Sequence, residues 1–337
     1  MTNKSTHHTG KKPMKRLTKL EFLVLAFLSL ICFTGCQDTN LFEPLEDVKT
    51  INNQLTSNFF NELQTPKFTF QFDASTDYTC ILPDASQILF KANSFTLNGT
   101  LVTSKLIRIT IQQFSHKNDM ITSNVTTMTS DRLLESAGMF KITADLEGKE
   151  LQLAKNAKYN IRIPKINLNN VPTNLELFYG TVTGGILTWR EADNDPSSQN
   201  NVVTSEWRYK DSVFVGLSCF PQELNWINCD HYIFNNNPRT DVCFTIKTIN
   251  NNDYINFGAY CAFPKFNSVS TICCDNNGKS CFNAMPVGED VRIILIGKGK
   301  YDYYLGYVNH NIKVGSNLTI QCDRVSFDAV KTFLSSL

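Results

Sequence analysis

Apolar and polar residues alternate with a period of two in run after run of this chain, and that pattern leaves few folds open to it. Phe68, Phe70 and Phe72 alternate with Thr69 and Gln71, and Ile107, Ile109 and Ile111 alternate with Arg108, Thr110 and Gln112. Tyr159, Ile161 and Ile163 repeat the pattern. Successive side chains of an extended chain point to opposite faces, so each run buries one face and wets the other. Turn chemistry separates the runs at Asn98-Gly99, Glu147-Gly148 and Gly184-Gly185. Strands resume at Val213 to Leu217, Val242 to Ile246, Ile255 to Phe263, Val291 to Ile296, Tyr303 to Val308 and Leu318 to Gln321, with a hairpin signal at Asn276-Asn277-Gly278. Only the C-terminus carries a clear helical period: Ser326 is placed to cap, Asp328 lies in the first turn, and Phe327, Val330, Leu334 and Leu337 share one face. The expected class is therefore mainly β, two β-sandwich-like domains in tandem with a short C-terminal helix.

A polar stretch over residues 191–205 interrupts the strands near the middle of the chain, and the domain boundary is expected there. This gives a first β-rich domain over 67–190 and a second, cysteine-rich one over 206–337. Residues 36–66 are polar without clean strand periodicity and read as a tether, with room for a short helix around Val48 to Leu63.

Residues 1–35 have the order of a secretory signal. Lys11, Lys12, Lys15, Arg16 and Lys19 precede an apolar run from Phe22 to Phe33, and small residues Thr34 and Gly35 lead to Cys36. That run is about a dozen residues, whereas a helix crossing the hydrocarbon of a bilayer needs about 20. Met14 would begin a signal of ordinary length. Phe33-Thr34-Gly35-Cys36 resembles the lipobox of bacterial lipoproteins, with Phe33 where that family prefers Leu. The resemblance implies cleavage before Cys36, its acylation, and attachment of the mature chain to a membrane. Gln37 stands where some bacteria use Asp to hold lipoproteins at the inner membrane, which favours the outer membrane.

Removing the leader takes six of the 32 basic residues and one of the 31 acidic ones, which leaves 26 against 30, a net charge of −4. A nucleic-acid partner would call for a basic footprint, so none is expected. Nine cysteines lie beyond Cys36, eight of them from Cys219 onward. In an exported chain with no C-x-x-C pair, such a cluster favours disulfides, with free buried thiols the next reading and a metal site the last. Eight cysteines allow 105 pairings, so spacing names no bridge.

Motifs that would carry chemistry are weak. Gly216-Leu217-Ser218-Cys219-Phe220 has Phe220 where a nucleophile elbow needs its second Gly. In Cys229-Asp230-His231 the outer two side chains share one face of a strand while Asp230 points away, so the triplet forms no relay by itself. Glu191, Asp193 and Asp195 are the calcium candidates, but Pro196 and Val202 occupy the positions where an EF-hand needs Gly and Glu. Lys117 and Asp119 read as turn or ion-pair residues. No other cofactor is expected. Trp189, Trp207, Tyr209 and Trp226 flank the expected boundary and are the candidates for a binding surface, with core packing the commoner fate of such residues.

A longer resemblance runs from Ile88 to Trp189. Phe90-Lys91-Ala92-Asn93-Ser94-Phe95, Asn98-Gly99, Lys117-Asn118-Asp119-Met120-Ile121, Ser130 to Phe140 and Leu177-Phe178-Tyr179-Gly180 are similar, in that order, to a module of cell-envelope lipoproteins of the Bacteroidetes. Lys91 replaces the usual Pro and Met128 the usual Thr. Trp226-Ile227-Asn228-Cys229-Asp230 resembles a segment that often follows the module. The resemblance implies envelope origin, lipidation and β-architecture, and carries over no catalytic residue. The resulting expectation is a lipid-anchored, non-enzymatic binding or structural component at the outer membrane, with an envelope protein or a glycan as partner. An envelope hydrolase with dispersed site residues and a surface glycan-binding lipoprotein are the alternatives.

Overall fold

A computed structural model describes residues 63–165, 174–192, 202–233, 236–248, 256–272, 274–276, 279–299 and 302–337. Cys36, Asp193 and Asp195, and the helix expected around Val48 to Leu63 apart from its last residue, lie outside them. The chain is mainly β, as the alternation requires, and among the described residues its strands form three large sheets and one small one.

The central sheet has seven strands, in the order Lys67–Asp73, Leu106–Phe114, Leu134–Leu146, Asn225–Tyr232, Glu176–Thr183 and Ile186–Glu191, with Lys149–Glu150 paired onto Leu134–Leu146. A five-stranded outer sheet runs Val203–Tyr209, Ser212–Cys219, Asn160–Pro164, Gln87–Phe90 and Tyr78–Ile81. These two sheets share one core: Ile107, Ile109, Ile111, Phe140, Ile142, Ile227 and Cys229 meet Cys80, Ile88, Phe90, Ile161, Leu217 and Cys219. The alternating runs supply it directly, Phe68, Phe70 and Phe72 lying opposite Ile111, Ile109 and Ile107 in register.

The third sheet has eight strands, in the order Val269–Thr271, Asn256–Ala262, Asp290–Lys298, Tyr303–Asn311, Asn317–Val325, Arg239–Thr248, Lys279–Pro286 and Cys274–Asn276. Its two edge strands are joined by a single step from Thr271 to Cys274, which spans no more than about 10 Å of extended chain, so the sheet curls nearly into a barrel. Phe244, Phe257, Cys261, Phe282, Ile293, Leu295 and Cys322 fill it. Strand Asp290–Lys298 is buried on both faces: Ile293 and Leu295 point into the barrel, while Ile294 and Ile296 point out against the central sheet. Its unbroken apolar run reflects that double burial. Cys243 and Cys281 are cross-strand partners joined by a disulfide.

A third apolar cluster is the seam between central sheet and barrel. Met139, Phe178, Leu187, Trp189 and Tyr232 from one side meet Tyr260, Ala262, Val269, Ile294 and Ile296 from the other. Helix Lys117–Thr122 and the expected terminal helix, Phe327–Leu334, close it with Met120, Ile121, Val330 and Leu334. The Ser326 hydroxyl accepts from Ala329 N at 3.2 Å, the cap its position promised.

Sheet membership does not follow the boundary expected at 191–205. Strands Val203–Tyr209, Ser212–Cys219 and Asn225–Tyr232 all belong to the first two sheets, and the change to the barrel falls between Tyr232 and Arg239. The polar stretch joins an edge strand of the central sheet, Ile186–Glu191, to an edge strand of the outer sheet, Val203–Tyr209. A polar composition alone therefore does not distinguish a connection between two sheet edges from a linker between two domains.

Candidate functional site

Between helix Lys117–Thr122 and strand Leu134–Leu146 the chain reads Thr126-Thr127-Met128-Thr129-Ser130, a run of hydroxyls poor in helix-forming residues. It bridges two sheet edges. Thr127 N and Thr126 Oγ1 donate to Val269 O at 2.8 and 3.1 Å, and Val269 N donates to Thr127 Oγ1 at 3.1 Å, which ties it to the barrel edge. Trp189 N donates to Met128 O at 3.1 Å and Trp189 Nε1 to Thr126 O at 2.6 Å, which ties it to the central-sheet edge.

Beyond the bridge the edges leave a cleft of about 270 Å³. Thr129, Ser130, Thr188, Ser270, Thr271 and Asn283 line it with hydroxyls and one amide, Met128, Ile186, Leu187 and Ile272 with apolar surface. None of the described lining residues is titratable. Backbone polarity follows from the register. Trp189 N points away from strand Glu176–Thr183, and in an antiparallel pair residues two apart repeat that direction, so the N–H and C=O of Leu187 also face outward. Val269 and Thr271 stand in the same relation on the barrel edge. Two walls of the cleft thus carry outward-facing strand backbone.

The aromatic candidates do not form one platform. Trp189 is 2% exposed and edge-on to Trp226 at 6.4 Å. Gly180 makes room for this pair, since a Cβ there would lie 2.7 Å from Trp226 Cβ and 3.0 Å from Trp189 Cζ3. Half-buried Trp226 also lies 5.4 Å from Phe114, with the Lys141 ammonium 5.1 Å from its ring. Trp207, 5% exposed, stacks on Phe214 at 6.2 Å in the edge hairpin of the outer sheet, where half-buried Tyr209 lies 5.2 Å from Lys210 Nζ. Burial thus places Trp189 and Trp207 in packing.

The polar candidates are likewise spoken for. Glu191 accepts from Tyr232 Oη at 2.6 Å, and the Arg132 guanidinium lies 3.7 Å over the Tyr232 ring. Among the described residues no group of three or more His, Cys, Asp and Glu side chains could hold a metal. Asn160 Nδ2 donates to Ser218 Oγ at 2.6 Å in mid-sheet. Asp119 accepts from Ser115 N and His116 N, capping its helix, and Lys117 Nζ donates to Phe263 O at 2.9 Å across the seam. His310 Nε2 meets Ser316 Oγ at 2.8 Å, but that hydroxyl is held by Lys313 in a hairpin turn.

Asp230, in the sequence only the middle of the Cys229-Asp230-His231 triplet, belongs to a buried polar cluster. Asp230 is 0% exposed, accepts from Asn228 Nδ2 across a short hydrogen bond, and Ser136 Oγ donates to Asn228 Oδ1 at 2.8 Å. His231 Nε2 stands 3.5 Å from Glu135 Oε2 beside it. Burial holds the Asp230 carboxyl well above the usual carboxylate range, with Cys229 and Glu135 pushing the same way. A folded-state value above the unfolded one means that stability is full below about pH 4 and falls as pH rises toward the folded value. Asp230→Asn mimics the neutral acid. It is expected to match wild type in urea unfolding near pH 4 and to exceed it by about 1–3 kcal/mol at pH 7; equal pH slopes for the two proteins would refute this.

No protein-family model, no curated protein and no solved structure matches the chain.

Proposed function

We propose that this chain is a lipid-anchored envelope protein, held at the outer membrane through Cys36, that binds a partner without transforming it. Its ligand on this reading is an extended, uncharged polypeptide segment laid in the cleft between the edges of strands Ile186–Glu191 and Val269–Thr271. One observation carries the reading: the cleft on the seam offers hydroxyls, aliphatic surface and outward strand backbone, with no titratable side chain among its described lining to serve as acid or base or to activate a hydroxyl. Strand addition to a free edge draws affinity from main-chain hydrogen bonds and specificity from flanking side chains. A glycan would use the hydroxyls too, but among the described residues no aromatic ring lines the cleft for a sugar face to stack on.

The reading is tested on a panel of uncharged eight- to ten-residue peptides by calorimetry. Thr271→Pro removes one outward N–H and leaves the ladder to strand Asn256–Ala262 intact, and Thr188→Arg puts a long cation into the cleft. Each is expected to weaken a bound peptide about tenfold or more, near 1.4 kcal/mol, while Tm stays within about 2 °C of wild type. Binding that ignores both changes, or neutral oligosaccharides competing in place of peptides, would sink the peptide reading. Cys36→Ala in cells should move the protein from the membrane to the soluble fraction; retention on the membrane would dispose of the anchor.

A further inference from the structure

We propose that Cys219 and Cys229 are a redox modification site: a disulfide joins them as the chain folds outside the cytoplasm, stitching the outer sheet to the central sheet. The proposal rests on the export part of the function reading and on nothing about the cleft.

Cys219 ends strand Ser212–Cys219 of the outer sheet, and Cys229 lies in strand Asn225–Tyr232 of the central sheet. Their Sγ atoms face each other across the sandwich core at 3.3 Å, and the residues are 1% and 0% exposed. A disulfide needs about 2.05 Å, so a shift of roughly an ångström shared between two side chains closes the bond.

The connection that carries the chain from one sheet to the other presets this encounter. Tyr159 Oη donates to Glu223 O at 2.9 Å, Tyr159 N to Pro221 O at 3.2 Å, and Gln222 N to Tyr179 Oη at 2.7 Å. Asn160 Nδ2 holds Cys219 O at 3.1 Å. A ten-residue separation is thus folded back so that its two ends meet. Metal chelation is a poorer account, because no third ligand joins the pair among the described residues.

The bond must form before the sandwich closes. The packed pair is out of reach of a protein oxidant, and the hydrogen bond with the Cys219 thiol together with burial pushes the Cys229 thiol up, which suppresses the attacking thiolate. The oxidant is the disulfide of an envelope thiol–disulfide oxidoreductase. One cysteine thiolate attacks that disulfide to give a mixed disulfide, and the other cysteine then displaces the oxidant. The two cysteines lose two electrons and two protons, and the oxidant leaves as a dithiol.

Protein isolated from the envelope is denatured without reductant, alkylated, digested and mapped by mass spectrometry, with Cys243 and Cys281 as the control for an oxidising history. The expected result is a Cys219–Cys229 linked peptide, two hydrogens lighter than the separate thiols, with neither residue alkylated. Alkylation of both residues beside a linked Cys243–Cys281 pair, or a bond from either to Cys80, overturns the proposal and leaves export standing. All four residues alkylated would overturn both. Cys219→Ala/Cys229→Val should also melt about 5–10 °C below the oxidised protein; a melt at the oxidised value would show that no stabilising bond was lost.

Discussion

Gly216→Ala is expected to destabilise the protein by about 4 kcal/mol or more, and to lower Tm by about 10 °C or more. Gly216 lies in strand Ser212–Cys219, between Pro164 on one neighbour and Ser205 on the other. A Cβ built on it would stand 2.0 Å from Ile163 O and 2.9 Å from Pro164 Cα. Both obstacles are backbone in the paired strand, so relief requires the strands to part. Parting them loses ladder hydrogen bonds and draws Leu217 and Cys219 from a core in which they are 2% and 1% exposed. Gly99→Ala is the control: its φ of +79° strains an alanine, but nothing lies within 4 Å of the new Cβ, so about 1 kcal/mol is expected. Gly138→Ala falls between, because there the clash is with the Ile163 Cδ1 methyl at 2.6 Å, the movable end of a side chain. Urea unfolding should rank the losses Gly216→Ala largest, Gly138→Ala next and Gly99→Ala smallest, and a Gly216→Ala protein within 1 kcal/mol of wild type would refute the account.

That glycine also shows what a sequence reveals and what it withholds. In Gly216-Leu217-Ser218-Cys219-Phe220 it resembles the opening of a nucleophile elbow, whereas it is there because two strands approach too closely for any side chain. Alternation is local, so the strands were legible: Phe68, Phe70 and Phe72 announce a face without reference to anything distant. Pairing is not local. Residues 191–205 carry the composition of a linker, and only the register of Asn225–Tyr232 against Leu134–Leu146 and Glu176–Thr183 shows that the chain returns to the sheet it left. The cleft was illegible for the same reason. Its described lining comes from residues 126, 128–130, 183, 186–188, 270–272 and 283, and nothing in Leu187 or Thr271 marks its strand as an edge. Nor does spacing select Cys219 and Cys229 among the pairings of eight cysteines; that takes two facing sheets.

Trp189→Ala is expected to cost about 3–5 kcal/mol and to abolish binding at the cleft together with it. The residue was a candidate for an exposed platform, and its burial gives it a different job. Its ring fills the seam against Trp226, and its backbone and indole N–H groups hold Met128 O and Thr126 O. Truncation therefore leaves a cavity, leaves Thr126 O without its donor, and releases the segment that holds the central-sheet edge to the barrel edge. Trp189→Phe separates these effects. It keeps most of the ring but removes the indole donor, so a loss of about 1–2 kcal/mol is expected, carried mainly by the bridge. Amide exchange reports the bridge directly, because Thr127 N–H is bonded to Val269 O and should lose protection in both variants. If Trp189→Phe exchanged Thr127 as slowly as wild type, the indole bond would not be what holds the segment. Peptide affinity should fall in step with that protection, because the cleft walls are only as fixed as the bridge between them. Affinity that survived a fast-exchanging Thr127 would place the binding surface elsewhere on the molecule.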